Sequence, residues 1–184
     1  MRLQVASHNP NKLRELRLAL PEWSVELVDA PGQPVEDGAT FAENARIKAR
    51  HGREHVEPDD WVAGEDSGIE VAALGGRPGV ESARWAADGV AHLLSELGGA
   101  SDRRARYVCE IVVLSPHGEE ITASGTLEGE IALEPRGSGG FGYDPIFVPF
   151  GQRATVAELG GAWKAVYSHR ARAARELADA LTNR

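Results

Sequence analysis

Two long β-strand patterns joined by a short turn place the strongest limit on the fold of this chain. Residues 105–115 and 119–133 are rich in β-branched residues, and the turn-forming sequence P-H-G-E joins them. This arrangement predicts a long β-hairpin. Helical patterns lie on both sides of the hairpin, so the sequence indicates a mixed α/β fold without giving the order of the strands.

The other predicted elements alternate along the chain. Leu13, Leu16 and Leu20 recur on one helical face, after an N-cap at Asn9 and a proline, Pro10, at the first helical position. This helix is expected to end near residue 21. The remaining predictions are strands at 2–7 and 24–29, two short strands within 61–73 around E-D-S-G, helices at 40–53, 90–97 and 168–181, and loops at 30–38, 74–84 and 136–145.

Length and composition predict one globular domain spanning 1–184, because 42% of the residues are hydrophobic and 26% are charged. The net charge of −8 argues against a general nucleic-acid binder, although an acidic chain can still hold Mg²⁺ and concentrate its cations in one cleft. No stretch resembles a signal peptide or a membrane helix of about 20 apolar residues. The single cysteine, Cys109, excludes an internal disulfide and fits a reducing compartment. We therefore expect a cytoplasmic protein without nucleic-acid or membrane partners.

Only three of the twenty basic residues are lysines, and each lies in a motif that suits phosphate binding. They are Lys12 in S-H-N-P-N-K, Lys48 in T-F-A-E-N-A-R-I-K-A and Lys164 in W-K-A-V-Y-S-H-R. A compact ammonium group suits a phosphate cluster as a point charge, whereas this chain uses arginine everywhere else. Chance placement of three lysines is the alternative.

The S-H-N-P-N-K motif connects a predicted strand to a predicted helix. The free N–H groups at the start of that helix would form an anion site, and Lys12 would add a cation one turn further on. The motif lacks the glycines and the G-K-[ST] ending of a Walker loop. A well-capped first helix explains the motif without any ligand, and the motif alone favours that interpretation.

The T-F-A-E-N-A motif has the spacing of a capping box, in which Thr40 and Glu43 cap the helix together. Spacing alone favours this structural role over a metal-binding role for Glu43. Asn44 and Lys48 lie four residues apart on the same face of the helix, so both could line one pocket.

The G-E-D-S-G motif places Glu65 and Asp66 beside the hydroxyl of Ser67. Two adjacent carboxylates suit metal binding or the activation of water, because a bound cation offsets their mutual repulsion. A polar turn at the end of a strand is the structural alternative. A triad of Ser67, Asp66 and His169 is disfavoured, since adjacent serine and aspartate make its geometry awkward.

The glycine-rich segment G-S-G-G-F-G-Y-D-P combines a turning backbone with Phe141, Tyr143 and Asp144. Glycines allow close approach to a ligand, and the aromatic rings could stack on a base. A structural glycine turn would rarely carry two aromatic residues, so this segment favours a binding function.

The last motif, S-H-R, follows a predicted N-cap at Ser168. His169 and Arg170 would occupy the first helical turn, where an arginine opposes the helix dipole. That mismatch suggests a ligand contact, and two exposed polar side chains are the alternative.

Taken in order, these motifs resemble those of the inosine triphosphate pyrophosphatase family, which hydrolyses noncanonical purine nucleoside triphosphates. The matching segments span nearly the whole chain, and E-D-S-G extends through I-E-V-A-A-L-G-G-R-P-G-V-E-S-A-R. The resemblance implies an elongated α/β fold with a mixed sheet, flanking helices and two lobes around a central nucleotide-binding cleft, usually in a homodimer. It also implies Mg²⁺-dependent cleavage of a nucleoside triphosphate to the monophosphate and pyrophosphate.

The resemblance further implies a role for each matching residue. Asp66 would be the general base for the attacking water, and the metal ligands would be Asp66, Glu43 and Glu65. The phosphates would be held by Ser7, Asn9 and Lys12, with Lys48 and Lys164 nearby, and the substrate-binding set would also include His8, Pro10 and Asn11. Ser67 would contact the substrate, and the base and sugar platform would be formed by Phe141, Gly142, Tyr143 and Asp144, with Phe141 stacking on the base. The 6-oxo group of the purine would accept from His169 and Arg170.

Two departures from the family pattern stand out. The family commonly has D-D-S-G where this chain has Glu65 followed by Asp66, and the segment 85–104 is shorter than usual. Two rival functions stay open at this point. One is a pyrophosphatase of modified nucleotides similar to the Maf family, and the other is a module that binds nucleotides without hydrolysing them.

Overall fold

The computed structural model describes residues 1–182, which form one six-stranded sheet with helices packed against it. The strands are β1 Arg2–Ala6, β2 Ser24–Leu27, β3 Trp61–Val71, β4 Arg104–Leu114, β5 Glu120–Ile131 and β6 Phe147–Pro149. The helices are α1 Pro10–Ala19, α2 Phe41–Arg53, α3 Gly89–Leu97, α4 Val156–Tyr167 and α5 His169–Thr182. In this described part of the chain, no helix has the length and apolar character required to span a membrane.

The sheet is mixed and has the strand order β2-β1-β3-β4-β5-β6. β1 pairs in parallel with β2 and β3, and the strands from β3 to β6 pair antiparallel. The predicted hairpin is confirmed as β4 and β5, which stay paired from Arg104 opposite Glu130 to Leu114 opposite Glu120. The α/β class with a mixed sheet and flanking helices is therefore confirmed.

β3 extends well beyond its neighbour β1. The β1–β3 pairing ends at Ala6 opposite Gly64, whereas β3 continues to Val71. The segment that follows β3 folds back and covers the carboxyl-terminal end of β3. Glu70 forms an isolated β-bridge with Pro78, and the hydroxyl of Ser82 accepts a hydrogen bond from the N–H of Ile69. Among residues 1–182, no strand therefore runs beside residues 65–68 on the β1 side, and this gap is an open edge of the sheet.

The two largest of four hydrophobic clusters in residues 1–182 lie along the sheet. The first packs α1 and α5 onto β1 and the hairpin, and the second gathers α3, β6 and the far half of β3. On one face of β3, Ala63 belongs to the first cluster, and Ile69 and Val71 belong to the second. Glu65 and Ser67 point to that same face between them, because alternate strand residues share a face.

The prediction of two short strands around E-D-S-G is wrong, because these residues lie inside the single strand β3. Charged residues can occupy a buried strand when each finds an oppositely charged partner, and Glu65 and Asp66 both do.

The prediction for the region after β6 missed helix α4. Gly160 interrupts its helical pattern, and with φ 79° and ψ −178° it kinks the helix. The short strand β6 was also missed. Within the loop predicted at 74–84, residues 79–81 form one 3₁₀ turn. The other predicted helices and strands are found within about three residues of their predicted ends.

Candidate active site

A cavity of about 600 Å³ opens along the uncovered edge of β3. The end of β1, the start of α1, helix α2, the glycine-rich segment and the start of α5 all contribute to its walls. Most residues that the sequence singled out line this cavity: Ser7, His8, Asn9, Pro10, Lys12, Lys48, Asp66, Ser67, Phe141, Gly142, Tyr143, Asp144, Lys164, His169 and Arg170. The predicted residues outside its lining are Asn11, Glu43, Asn44 and Glu65.

The loop between β1 and α1 is held in shape by hydrogen bonds between its own residues. Asn9 caps α1 by accepting from the N–H of Asn11 at 3.0 Å, and Pro10 occupies the first helical position, as predicted. The N–H of Asn9 in turn donates to Ser7 Oγ at 3.2 Å. This loop follows the carboxyl end of a parallel strand, which is where open α/β sheets place their ligands.

Lys48 and Asp66 form an ion pair on the α2 side of β3. Lys48 Nζ lies 2.7 Å from Asp66 Oδ1 and also 2.7 Å from an oxygen of Glu36. Burial raises the pKa of Asp66, and the Lys48 charge offsets that rise only in part. Burial would lower the pKa of Lys48, but Asp66 and Glu36 outweigh it and the pKa is raised. The pair is therefore charged, with a carboxylate that accepts a proton more readily than an exposed aspartate.

Asn44 connects the same carboxylate to the loop before α2. Its Oδ1 accepts from the N–H of Gly38 at 2.9 Å, and its Nδ2 lies 3.4 Å from Asp66 Oδ2. The sequence placed Asn44 and Lys48 on one face of α2, and the structure confirms that both reach Asp66.

Glu65 is buried on the opposite face of β3, between two cations. Its oxygens lie 2.8 Å from Lys12 Nζ and 3.0 Å from Arg170 Nη2. Burial alone would raise the pKa of Glu65, but the Arg170 and Lys12 charges hold it well below its usual range. Glu65 is therefore an anion that fixes the positions of Lys12 and Arg170.

A second buried network holds Lys164. Its Nζ lies 2.6 Å from Asp144 Oδ2 and 2.6 Å from Glu15 Oε1, and the other oxygen of Glu15 pairs with Arg170. Tyr107 donates its hydroxyl to Asp144 at 3.2 Å. Glu15 thus couples the lysine of W-K-A-V-Y to the arginine of S-H-R.

The aromatic side chains gather at this end of the cavity. Lys164 Nζ lies 4.6 Å from the ring centroid of Phe141, and the rings of His169 and Tyr107 stack with centroids 4.6 Å apart. Burial, reinforced by the Arg170 charge, lowers the pKa of His169 well below its usual value. The imidazole is therefore neutral, with one donor and one acceptor nitrogen. Its Nδ1 is buried and finds no hydrogen-bond partner within residues 1–182.

The carboxylates of Asp66 and Glu36 fit a divalent cation. Both residues line the cavity on either side of Lys48. Mg²⁺ typically binds through one or two carboxylates plus phosphate oxygens, so this donor set is suitable. Every lysine here already has a carboxylate partner, and an anionic ligand would therefore need additional positive charge.

Glu43, in the first turn of α2, is not among the residues that line the cavity. Its Oε2 accepts from the N–H groups of Ala39 at 2.7 Å and Thr40 at 3.1 Å, completing the capping box. The capping interpretation is confirmed, and the metal-ligand role of Glu43 stays a prediction.

Sequence reasoning missed three residues of the site. Glu15 and Glu36 pair with the motif lysines, and Tyr107 supports His169 and Asp144. None of them lies in a recognised motif. The only available signal was that a buried lysine requires a nearby carboxylate.

The cavity thus has two chemically different ends. One end offers a buried carboxylate and the ammonium groups of Lys12 and Lys48, which suits a polyanionic group and the activation of water. The other end offers the ring of Phe141 under the Lys164 and Arg170 cations, together with the neutral imidazole of His169, which suits a flat ring carrying hydrogen-bond acceptors.

Comparisons with known proteins agree with one another. The family model described as the Ham1 family matches residues 3–180. A dITP/XTP pyrophosphatase of Exiguobacterium sp. is 43% identical over 96% of this chain and 95% of its own length. The structure of the Staphylococcus aureus Ham1 protein has a TM-score of 0.86 at 36% identity, with 100% of this chain and 99% of that chain covered. The structure of a nucleoside-triphosphatase / dITP/XTP pyrophosphatase from Mycobacterium abscessus has a TM-score of 0.76 at 41% identity, with 98% and 100% covered.

Proposed function

Because this chain belongs to the Ham1 family, we propose that it hydrolyses noncanonical purine nucleoside triphosphates, namely ITP, dITP and XTP, to the monophosphate and pyrophosphate. The single observation that carries the proposal is the cavity itself. It combines a buried carboxylate, Asp66, and three motif lysines with an aromatic ring and two donors from S-H-R. The names of the similar proteins support this substrate class.

Asp66 is the group best placed to act as general base. In this mechanism its carboxylate accepts a proton from a water molecule, whose oxygen forms a bond to phosphorus as the bond to the pyrophosphate group breaks. Its raised pKa favours proton transfer, and Lys48 keeps the carboxylate ionised until that step. The departing pyrophosphate takes the bonding electron pair, and its charge would be stabilised by the cavity lysines.

We propose Mg²⁺ as the metal, held by Asp66 with Glu36 and the phosphate oxygens. When bound, it would neutralise negative charge on the phosphates and polarise the P–O bonds. The ligand roles of Glu43 and Glu65 stay predictions, since the capping box engages Glu43 and two cations surround Glu65.

The opposite end of the cavity would select the base. Phe141 would stack on the purine, and His169 and Arg170 would donate hydrogen bonds to a 6-oxo group. The 6-amino group of adenine is a donor, and a buried donor left without an acceptor costs about 1–3 kcal/mol. Discrimination against ATP follows from this mismatch.

A substrate panel tests the proposal. Pyrophosphate release would be measured with ITP, dITP, XTP, ATP and modified pyrimidine triphosphates, each with Mg²⁺ and with a chelator. We expect release from the first three only, and only with Mg²⁺. Release from modified pyrimidine nucleotides instead would favour the Maf-like function, and ITP binding without monophosphate formation would favour a non-hydrolysing module.

We also propose that the protein is a cytoplasmic homodimer, as the resemblance to the family suggests. Its free cysteine, Cys109, is consistent with a reducing compartment. Light scattering coupled to size-exclusion chromatography would give the mass, and a value near 19.7 kDa would reject the dimer.

A further inference from the structure

Three metal-ligating side chains meet at the carboxyl end of α2, apart from the acidic groups of the cavity. His51, Glu54 and His55 have the helical spacing i, i+3, i+4, and one ligand atom from each lies within 4.8 Å of the others. The two imidazole rings meet edge to face, with centroids 4.9 Å apart and planes at 68°. The N–H of Glu54 donates to the carbonyl oxygen of His51 at 3.2 Å, and the N–H of His55 donates to that of Gly52 at 3.0 Å, so the chain after His51 stays in a tight turn.

His51 supplies an independent indication that a ligand is missing. Its Nε2 is buried, and no group within residues 1–182 forms a hydrogen bond with it. A buried polar atom without a partner is destabilising, and native proteins rarely leave one unexplained. A metal ion coordinated through Nε2 would remove that cost.

The electrostatics of this helix end also favour a cation. The last carbonyl groups of a helix carry partial negative charge, and Glu54 adds a carboxylate. Of the two arginines in the last turn of α2, Arg50 and Arg53, the second is directed elsewhere, because its guanidinium donates to the carbonyl oxygens of Glu57, Pro58, Asp60 and Leu114.

We propose that His51, Glu54 and His55 form a binding site for a divalent transition metal of the zinc class, separate from the Mg²⁺ proposed at Asp66. Two imidazoles and one carboxylate suit Zn²⁺ or Co²⁺, whereas Mg²⁺ prefers oxygen ligands. Tetrahedral zinc with Zn–N near 2.1 Å needs ligand atoms about 3.4 Å apart. Small rotations of the exposed side chains of Glu54 and His55 can close that distance.

The site has a direct connection to the cavity. His51 lines the cavity wall and lies one helical turn after Lys48, the partner of Asp66. A metal bound here fixes the last turn of α2 and with it the part of the helix that carries Lys48. The inference does not depend on the substrate of the enzyme, because its ligands and its evidence are separate from those of Asp66.

Co²⁺ binding to the full chain tests the proposal, since its visible absorption reports imidazole and carboxylate coordination. The titration would use nucleotide-free protein with excess Mg²⁺ present, and Zn²⁺ would then be added to displace Co²⁺. We expect stoichiometric binding by the unmodified protein and affinity at least about tenfold weaker in His55→Ala and in Glu54→Gln. His117→Ala, which removes an exposed histidine from the β4–β5 turn, is the matched control and should bind as the unmodified protein does.

Thermal unfolding provides the second measurement. A metal that binds only the folded chain raises Tm, so Zn²⁺ should raise the Tm of the unmodified protein and of His117→Ala but not that of His55→Ala. Equal Co²⁺ affinity in the unmodified protein and in His55→Ala would overturn the proposal. Loss of Co²⁺ binding in Asp66→Asn, with binding retained in His55→Ala, would also overturn it, because the metal would then occupy the cavity carboxylate.

Discussion

Lys48 Nζ lies 2.7 Å from Asp66 Oδ1, and this contact joins a helix to the centre of the sheet. Both side chains are largely buried, and Glu36 contacts the lysine from the other side. The carboxylate thus has a raised pKa and a cation that restrains it. Two predictions about the reaction follow from this one contact.

Replacing Asp66 with Asn should lower the turnover of ITP by about 10²–10⁴-fold, because the amide cannot accept the proton of the attacking water. The substitution is close to isosteric, so thermal unfolding should show a folded protein. Asp102→Asn removes a carboxylate outside the cavity lining that pairs with Arg104, and it should leave turnover unchanged. Normal turnover in Asp66→Asn would reject Asp66 as the base.

Replacing Lys48 with Met should move the acid limb of the kcat/KM profile to higher pH. The Lys48 charge lowers the pKa of Asp66, so its loss raises that pKa further and protonates the base at a higher pH. Arg50→Met on the same helix removes an exposed cation and should leave the limb in place. An acid limb that stays fixed or moves to lower pH in Lys48→Met contradicts this account.

Replacing Glu65 with Gln should destabilise the fold by about 3–5 kcal/mol, because Lys12 and Arg170 lose their shared buried counter-charge. Urea denaturation would measure the change. The matched control is Glu70→Gln on the same strand, whose partner Arg106 is exposed, and its cost should stay below about 1 kcal/mol. Similar losses in the two variants would show that Glu65 is not a structural anion.

His169 should make the fold less stable as pH falls below about 6.5, the usual histidine pKa. Its pKa in the folded state is lowered by burial, so below pH 6.5 the unfolded chain binds the extra proton and gains free energy relative to the folded one. Urea denaturation across pH 5–8 should show a free energy of unfolding that falls by up to about 1.4 kcal/mol for each pH unit below 6.5. This dependence on pH should be absent in His169→Gln. The same slope in both proteins, or a slope removed by His117→Gln, would contradict this assignment.

Replacing Gly64 with Ala should cost about 3 kcal/mol or more of folding free energy, because a Cβ there would lie 1.9 Å from the carbonyl oxygen of Ala45 and 2.5 Å from the N of Ala49. Both are backbone atoms of α2 that cannot move aside. Gly99→Ala meets no atom within 4 Å and should leave the urea midpoint unchanged or slightly higher. An unchanged folding free energy in Gly64→Ala would show that the close packing of α2 on β3 at this position does not contribute to stability.

Periodic and capped segments were predictable from the sequence. The hairpin, the Asn9 and Thr40 caps and the helix after Ser168 all depend on local signals that the structure confirms. The strand conformation of the E-D-S-G segment was not predictable, because its polarity is typical of a turn and the cations that allow its burial are distant in sequence. Arg170, which contacts Glu65, lies 105 residues away.

The same physics decides how much of the site could be predicted. Motif residues were predictable because they resemble a known family, and 15 of them line one cavity. Glu15 and Glu36 were not predictable as site residues, since a carboxylate that balances a buried lysine can come from any segment that the fold brings close. The sequence separation between a buried lysine and the carboxylate that balances its charge therefore follows no fixed pattern.

The unbroken course of β3 through both hydrophobic clusters has a mechanical consequence. Its ladder with β4 runs from Val62 to Val71 without interruption, so the clusters cannot swing as separate bodies without tearing backbone hydrogen bonds. The strand that carries Asp66 is therefore fixed relative to both clusters.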